Sequence, residues 1–456
     1  MTRKLSLFLL LFVLQSACVF SQNKTVDGYR GIWFTLNQFS TYGDKYSGGL
    51  GTYTSSHIPV AVYAPAVKKT FFVYGGTTSA DERHLLIMIS YFDHVKKRVP
   101  LPVIVYDKVG VDDPHDNASL SIDEKGYIWV FVSGRNTSRL GIIFKSRKPY
   151  DISAFDRTYE GDMTYPQPWR FEGKGFLHLF TRYTRGRELY WSTSADGTNW
   201  ADAQKLAGMG GHYQVSNKWK NKVVTAFNYH PGGNVDKRTN LYLLQTEDMG
   251  KTWTTVEGKT VETPLREKLN DALVKDFETE GKLIYINDIN FDALGNPVIL
   301  VVVSNSYRPG PPGNLRDWVL IRWTGKEWVH YKVCSSTHNY DMGSLYIDGS
   351  EWMIIGPTSP GPQPLGTGGD MVQWQSVDDG HTWKSSKKLT GSNKRNHSYA
   401  RRPSVMHPGF TAFWADGNAD TMSESRLYFS DKKGNVYALP YNMSKQYVKP
   451  EKVPAP

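Results

Sequence analysis

Short apolar runs recur along the whole chain, and each is soon broken by Gly, Asn or Asp. In "YPQPWRFEGKGFLHLFTRYT" a mixed strand, a Gly turn and a very apolar strand follow one another. The same order opens at His57 ("HIPVAVYAPAVKKTFFVYGGT"), His115 ("HDNASLSIDEKGYIWVFVSGR") and Tyr165, and again at His212 ("HYQVSNKWKNKVVTAFNYH"). It continues at Ile286 ("INDINFDALGNPVILVVVSN"), His338 ("HNYDMGSLYIDGSEWMIIGPTS") and His397 ("HSYARRPSVMHPGFTAFWADG"). No long amphipathic helix or low-complexity linker interrupts the series. A period of roughly 45 to 55 residues is that of propeller blades. The pattern therefore predicts an all-β fold, a seven-bladed β-propeller forming one domain over residues 22–456. "GYRGIWFTL" (28–36) is left over as an N-terminal strand. It is expected to pair into the last blade beside "NVYALPYNM" and close the ring, which removes exposed sheet edges.

A second repeat lies within the first. "SADGTNW" (194–200), "TEDMGKTW" (246–253) and "SVDDGHTW" (376–383) each place Asp and Gly in a tight turn before a Trp. The carboxylate can accept turn N–H groups while Gly takes the positive φ. These resemble the Asp-boxes of sialidase-like propellers, and their role is structural.

Polar and aromatic residues gather just before the first strand of each unit and just after the second. In a propeller the first strand runs away from one face and the second returns to it, so both places share one rim. His57, His115, Tyr165, Tyr213, His338, Tyr340 and Arg402 come from strand starts, Arg135, Arg182 and His230 from strand ends. Arg238, in the loop "GGNVDKRTN", is placed to reach the same depression. A ring of such residues predicts a functional cleft.

The N-terminus "MTRKLSLFLLLFVLQSACVFSQNK" has a basic start, a short apolar run and small residues near Ser21. That reads as a secretory signal over residues 1–21, too short to span a bilayer. Secretion or periplasmic export follows, with no transmembrane segment. A lipid-modified Cys18 is the lesser alternative, because Gln15 stands where such boxes want an aliphatic residue. After cleavage only Cys334 remains, so no internal disulfide is expected and the thiol reads as a small buried hydrophobe. The formal net charge of +10 points to an acidic partner. Without a Lys/Arg-dense arm or a binding motif, nucleic acid is not expected.

The cleft chemistry narrows further. Ordinary glycoside hydrolysis wants two close carboxylates, and the rim offers only Asp288, Asp341 and Asp416 as acids. His, Tyr and Arg suit β-elimination on a 4-linked uronate instead. Arginine neutralises the carboxylate, which acidifies the C5 proton, and His or Tyr moves protons to and from the sugar.

"GYRGIWF", "GLGTYTSSHIPVAVY", "HDNASL", "YPQPWRF…LFTRYTRGRELYWSTSADG" and "HNYDMGSLYI" resemble the seven-bladed propeller family that contains ulvan lyases. The likeness is greater to its branch acting on L-rhamnose-α-1,4-D-glucuronate ends of arabinogalactan or gum arabic side chains. It implies proton transfer by His115 and Tyr165, with the base and acid not distinguished, and carboxylate neutralisation by Arg182. It also implies substrate contacts from His57, Arg135, Tyr213, His230, Arg238, His338, Tyr340 and Arg402. Ulvan lyases tend to carry a second His where this chain has Arg135 or Asn136, which argues for another substrate or for Arg135 as a second carboxylate ligand. A related branch of α-L-rhamnosidases uses a lone His that aligns near Gln38, and Gln is no general base. Hydrolysis of the same bond, ulvan cleavage and non-catalytic binding of an acidic glycan are the alternatives. The expected partner is an acidic polysaccharide or oligosaccharide containing glucuronate, bound by a monomer. No cofactor or metal is required, and a structural calcium on the axis stays open because no spacing resembles a dedicated site.

Overall fold

The computed structural model describes residues 22–51, 56–79, 81–82, 84–314 and 316–456; the expected leader, with Cys18, lies outside the described residues. Seven antiparallel sheets follow one another along the chain, each built on four strands in sequence order, with a short closing strand interposed in the first (Val99–Pro100) and the last (Glu424–Ser425). Their innermost strands are Ala61–Ala64, Ala118–Ile122, Thr164–Phe171, Gln214–Trp219, Leu283–Phe291, Ser344–Asp348 and Asn396–Arg401. These are the seven units expected from the repeat, and the fold is a seven-bladed propeller.

The apolar second strands have a physical reason. Each is flanked by strands of its own sheet and covered on both faces by neighbouring blades, so its residues need not alternate. In Pro297–Ser304 every residue is buried. The core accordingly lies between blades. Separate apolar clusters fill the interfaces of blades 3 and 4, 4 and 5, 5 and 6, and 6 and 7. The interface of blades 2 and 3 has the smallest cluster, and it is mostly aromatic. In the Asp-boxes, Asp196, Asp248 and Asp378 accept from backbone N–H groups of Thr198, Thr252 and Thr382 at 2.8–2.9 Å. The glycine of the first box has φ +75°, and a Cβ there would lie 2.5 Å from the Trp129 ring.

Closure differs in detail from the expectation. Gly31–Ile32 pairs with Glu424–Ser425 of blade 7, and Gly31 also pairs with Gly76 of blade 1, so the strand bridges first and last blades. The outer strand Val436–Ala438 takes Glu451–Lys452 from the C-terminus as its partner instead. A second clasp pairs Tyr447–Val448 with Val99–Pro100. Tyr29 joins both: its N–H donates to the Pro440 carbonyl at 2.9 Å, and its hydroxyl meets Ser90 Oγ at 2.6 Å and the Pro100 carbonyl at 2.7 Å. The two ends are thus held by backbone pairing on either side of one buried phenol.

Replacing Tyr29 by Phe leaves Ser90 and the Pro100 carbonyl buried and short of one partner. The variant should lose about 1–3 kcal/mol of stability and unfold at a lower temperature, read by calorimetry. An unchanged midpoint would remove Tyr29 from the closure.

Candidate active site

Three inner strands begin with an irregularity at the rim. The ladder of blade 3 breaks between Thr164 and Gln167, and Tyr165 takes φ +57°. Its N–H donates to Ser133 Oγ at 3.0 Å. Blade 7 repeats the device at Tyr399, with φ +59° and a break between Ser398 and Arg401. Blade 5 breaks between Ile286 and Asp288. A left-handed Tyr costs about 1–3 kcal/mol and persists only where its surroundings impose it. Here the bulge turns a buried phenol from its strand toward the neighbouring blades.

Around Tyr165 stand three rings from three other blades. Ring centres lie 5.2 Å away for His57, 5.5 Å for His115 and 5.6 Å for Tyr213. His230 packs edge-on against Tyr213 at 5.1 Å. His115 occupies a single turn, Pro114–Asp116, and its Nδ1 is hydrogen-bonded to Asp113. Asp113 in turn accepts from Arg139 at 2.7 Å. A carboxylate on Nδ1 holds the proton there and leaves the lone pair on Nε2. His57 Nε2 meets the His115 carbonyl at 3.1 Å. Both ring nitrogens of His230 are buried without a hydrogen-bond partner among the described residues.

Three guanidinium groups surround these rings. Arg135 bonds the Tyr183 hydroxyl, and Arg187 lies over Tyr183 at 5.4 Å and Tyr213 at 6.0 Å. Arg238 is 3% exposed and stacks on Tyr285 at 4.3 Å and Tyr213 at 4.7 Å. It also donates to the Tyr340 hydroxyl at 2.7 Å and the Val235 carbonyl at 3.0 Å. Tyr46, from the N-terminal hairpin that pairs Phe34–Thr35 with Ser47–Gly48, packs edge-on against Tyr340 at 4.8 Å. His338 accepts from the Tyr340 N–H at 3.2 Å, so it joins through Tyr340.

The charges sort the titratable groups. Burial pushes the Tyr213 phenol up, but Arg187, Arg238, the neighbouring Tyr165 and Arg135 together draw it below its usual value. Burial prevails at Tyr46, Tyr183, Tyr285 and Tyr340, which are all pushed up. It also holds the imidazoles neutral: His57 and His338 fall to about 3, and His115 and His230 are lowered too. One phenol is thereby prepared to ionise among neighbours that keep their protons.

Two expected residues are not brought to this cluster. Arg182 belongs to the strand Gly175–Tyr183, where side chains alternate between faces. His178, Phe180 and Arg182 turn toward blade 2, where Arg182 Nε donates to the Asp162 carbonyl at 2.9 Å. Tyr183, one residue on, faces the cleft. The arginine that does lie beside the cleft rings is Arg187, at the start of the next strand. Arg402 lies three residues beyond Tyr399, about 10 Å along the strand, and pairs with Asp288 at 3.1 Å on the axis below. Arg187, Tyr183, Asp113, Tyr46 and Tyr285 are cleft residues that the rim rule overlooked. The parity of Tyr183 and the "TRGRE" hairpin were the available signals.

Ultraviolet titration of the folded protein should find one tyrosine ionising below the ordinary value of about 10. It should vanish in Tyr213→Phe and move to higher pH in Arg187→Met and Arg238→Met. A low transition that survives Tyr213→Phe would assign the charge to another residue.

The chain resembles known proteins in sequence and fold. An ulvan lyase of Pseudoalteromonas sp. (strain PLSV) is 22% identical over 256 residues, 48% of this chain and 52% of the relative. The chain thus spans about half the length of that relative. An ulvan lyase of Alteromonas sp. (strain LOR) is 20% identical over 71% of this chain and 73% of the relative. A solved PL25 ulvan lyase bound to -[GlcA(1-4)Rha3S]- superposes with a TM-score of 0.71, at 16% identity over 90% of this chain and 96% of that one. The profile of the BNR repeat-containing family matches residues 72–336, more than half of the chain. With its Asp-boxes and seven blades, the chain belongs to the BNR repeat-containing family.

Proposed function

We propose that this protein is a secreted polysaccharide lyase that cleaves a 4-linked glucuronate glycan by β-elimination. Its substrate is the L-rhamnose-α-1,4-D-glucuronate linkage of arabinogalactan or gum arabic side chains. The observation that carries the reading is the juxtaposition of Tyr213 with Tyr165, ring centres 5.6 Å apart, with Arg187 at 6.0 Å and Arg238 at 4.7 Å from the Tyr213 ring; these cations draw its phenol below its usual value. A base of that kind suits a weakly acidic C–H, and the same arginines suit the carboxylate beside it.

In this mechanism Arg187 and Arg135 receive the uronate carboxylate, and its neutralisation lowers the pKa of the C5 proton. The Tyr213 phenolate takes that proton as the C4–O4 bond breaks and the C4–C5 double bond forms. Tyr165 donates its proton to the departing O4. The proton on Tyr213 then passes to the neighbouring Tyr165, whose ring lies 5.6 Å away, and the pair returns to its starting state. His115 is favoured as base in a second reading, because Asp113 leaves its Nε2 lone pair available.

The ulvan lyase relatives, one of them solved with a GlcA–Rha3S repeat, support the lyase class and a glucuronate next to a rhamnose. Hydrolysis has less support. Asp288 is paired with Arg402, Asp341 accepts from three backbone N–H groups, and Asp416 accepts from Arg426 N and the Tyr428 hydroxyl. Gln38 is exposed on the N-terminal hairpin. Export is supported by the basic leader with its apolar run, and among the described residues no helix is long and apolar enough to cross a membrane.

Gum arabic, arabinogalactan and ulvan should be compared as substrates. A conjugated, ultraviolet-absorbing uronyl product from the first two is expected. Rhamnose released without that chromophore would mean hydrolysis, and binding without product would mean a lectin. Tyr165→Phe and Tyr213→Phe should each lower kcat by about 10²–10⁴-fold with the fold retained. The rate should rise with pH as Tyr213 loses its proton, and Arg238→Met should move that rise to higher pH. If His115 is the base, Tyr213→Phe keeps most of kcat and His115→Ala does not.

A further inference from the structure

The strand Gly175–Tyr183 has the cleft on one face and a second concavity on the other. Between blades 2 and 3 lies a groove of about 340 Å³, at the lower end of the range for small-molecule pockets. Its polar groups are incompletely satisfied. His178 is 2% exposed, and its Nε2 has no hydrogen-bond partner among the described residues. Asp162 Oδ1 is buried in the same condition, while Oδ2 stands 3.9 Å from Arg182 Nε. A buried polar atom left unpaired costs about 1–3 kcal/mol, and two that line one groove point to a ligand with hydroxyl groups. The walls are aromatic and half-buried: Trp200 and Tyr159 face each other at 6.0 Å, and Trp200 also meets His178 at 5.5 Å. This is the interface where the apolar cluster between blades is smallest.

We propose that this groove is a carbohydrate site distinct from the cleft, taking one neutral pyranose residue. The sugar lays its C–H face on Trp200 or Tyr159 and hydrogen-bonds His178 and Asp162 through hydroxyls. Charge selects against a uronate: Asp162 and Asp202 both line the groove, and the one cation among its described lining residues, Arg182, is held by Asp162. Asp162 needs a donor, which a sugar hydroxyl supplies, whereas a ligand carboxylate would meet the like charges of Asp162 and Asp202. The use of the site, holding a neutral unit of the polymer while the cleft acts on an acidic one, rests on the lyase reading. Sugar binding itself does not.

Ligand-observed NMR and tryptophan fluorescence can test it with methyl α-L-rhamnoside, methyl β-D-galactoside and methyl β-D-xyloside, against methyl β-D-glucuronide. At least one neutral glycoside should bind saturably. Asp162→Asn and His178→Phe should each weaken it tenfold or more, with thermal unfolding verifying both folds, and Tyr165→Phe should leave it unchanged. Asp162→Asn preserves side-chain volume, so it decides the matter if His178→Phe does not fold. No binding, binding indifferent to Asp162→Asn, or binding lost in Tyr165→Phe would overturn the site. A glucuronide bound as tightly as the neutral sugars in this groove would overturn the charge argument. All arms read binding without turnover, so a failed lyase reading leaves the test intact.

Discussion

A buried guanidinium facing phenols organises the cleft. Arg238 is almost wholly removed from water, and among the described residues no carboxylate pairs with it. Desolvating a cation costs several kcal/mol unless other groups replace its hydration. Here a hydroxyl, a backbone carbonyl and aromatic faces do so, and each of the latter is worth about 0.5–2 kcal/mol. They come from blades 4, 5 and 6, with Tyr46 of the N-terminal hairpin packed behind Tyr340. Lys45 reinforces the same junction by pairing with Asp236 in the loop that carries Arg238. The positive charge left uncancelled then acts on Tyr213 and on any anion that enters the cleft.

Ring closure sets the distances in this network. Tyr165, Tyr213 and His115 lie far apart in sequence and meet because the inner strands of blades 2, 3 and 4 start side by side. The left-handed backbone at Tyr165 adds a correction that regular strands lack, directing the phenol across blades. Holding that conformation requires the surrounding packing, including the Ser133 hydroxyl on its N–H. Stability from the clasp at Tyr29 and precision at Tyr165 are therefore linked, since a ring that opens separates blades 1 and 7 and loosens the blades beside them.

Much of this was legible in the residues. The unit repeat located all seven inner hairpins, and the Asp-boxes marked third-to-fourth strand turns in blades 3, 4 and 6. His57, His115, Tyr165, Tyr213, His230, Arg135, Arg238, His338 and Tyr340 occupy one connected cluster on the expected rim. Arg182 and Arg402 do not. A rule that counts residues from a strand end is uncertain by one position, and one position reverses the face of a side chain. That is the difference between Arg182 and Tyr183. At Arg402 the error is depth, because a bulge and three further residues carry the side chain down the axis to Asp288.

By itself, then, the chain determined its blade number, its turns and which residue types reach one face, since apolar runs, glycines and Asp-boxes act through local geometry and burial. The tertiary structure alone decided which arginine meets which phenol, and hence that Tyr213 is the one drawn toward ionisation. That choice depends on summed charge and desolvation from blades 2, 3 and 4, and such sums exist only once distant strands share a small volume of low dielectric. The same closure decided that Arg182 faces a separate groove with His178 and Asp162, a grouping that no local spacing contains.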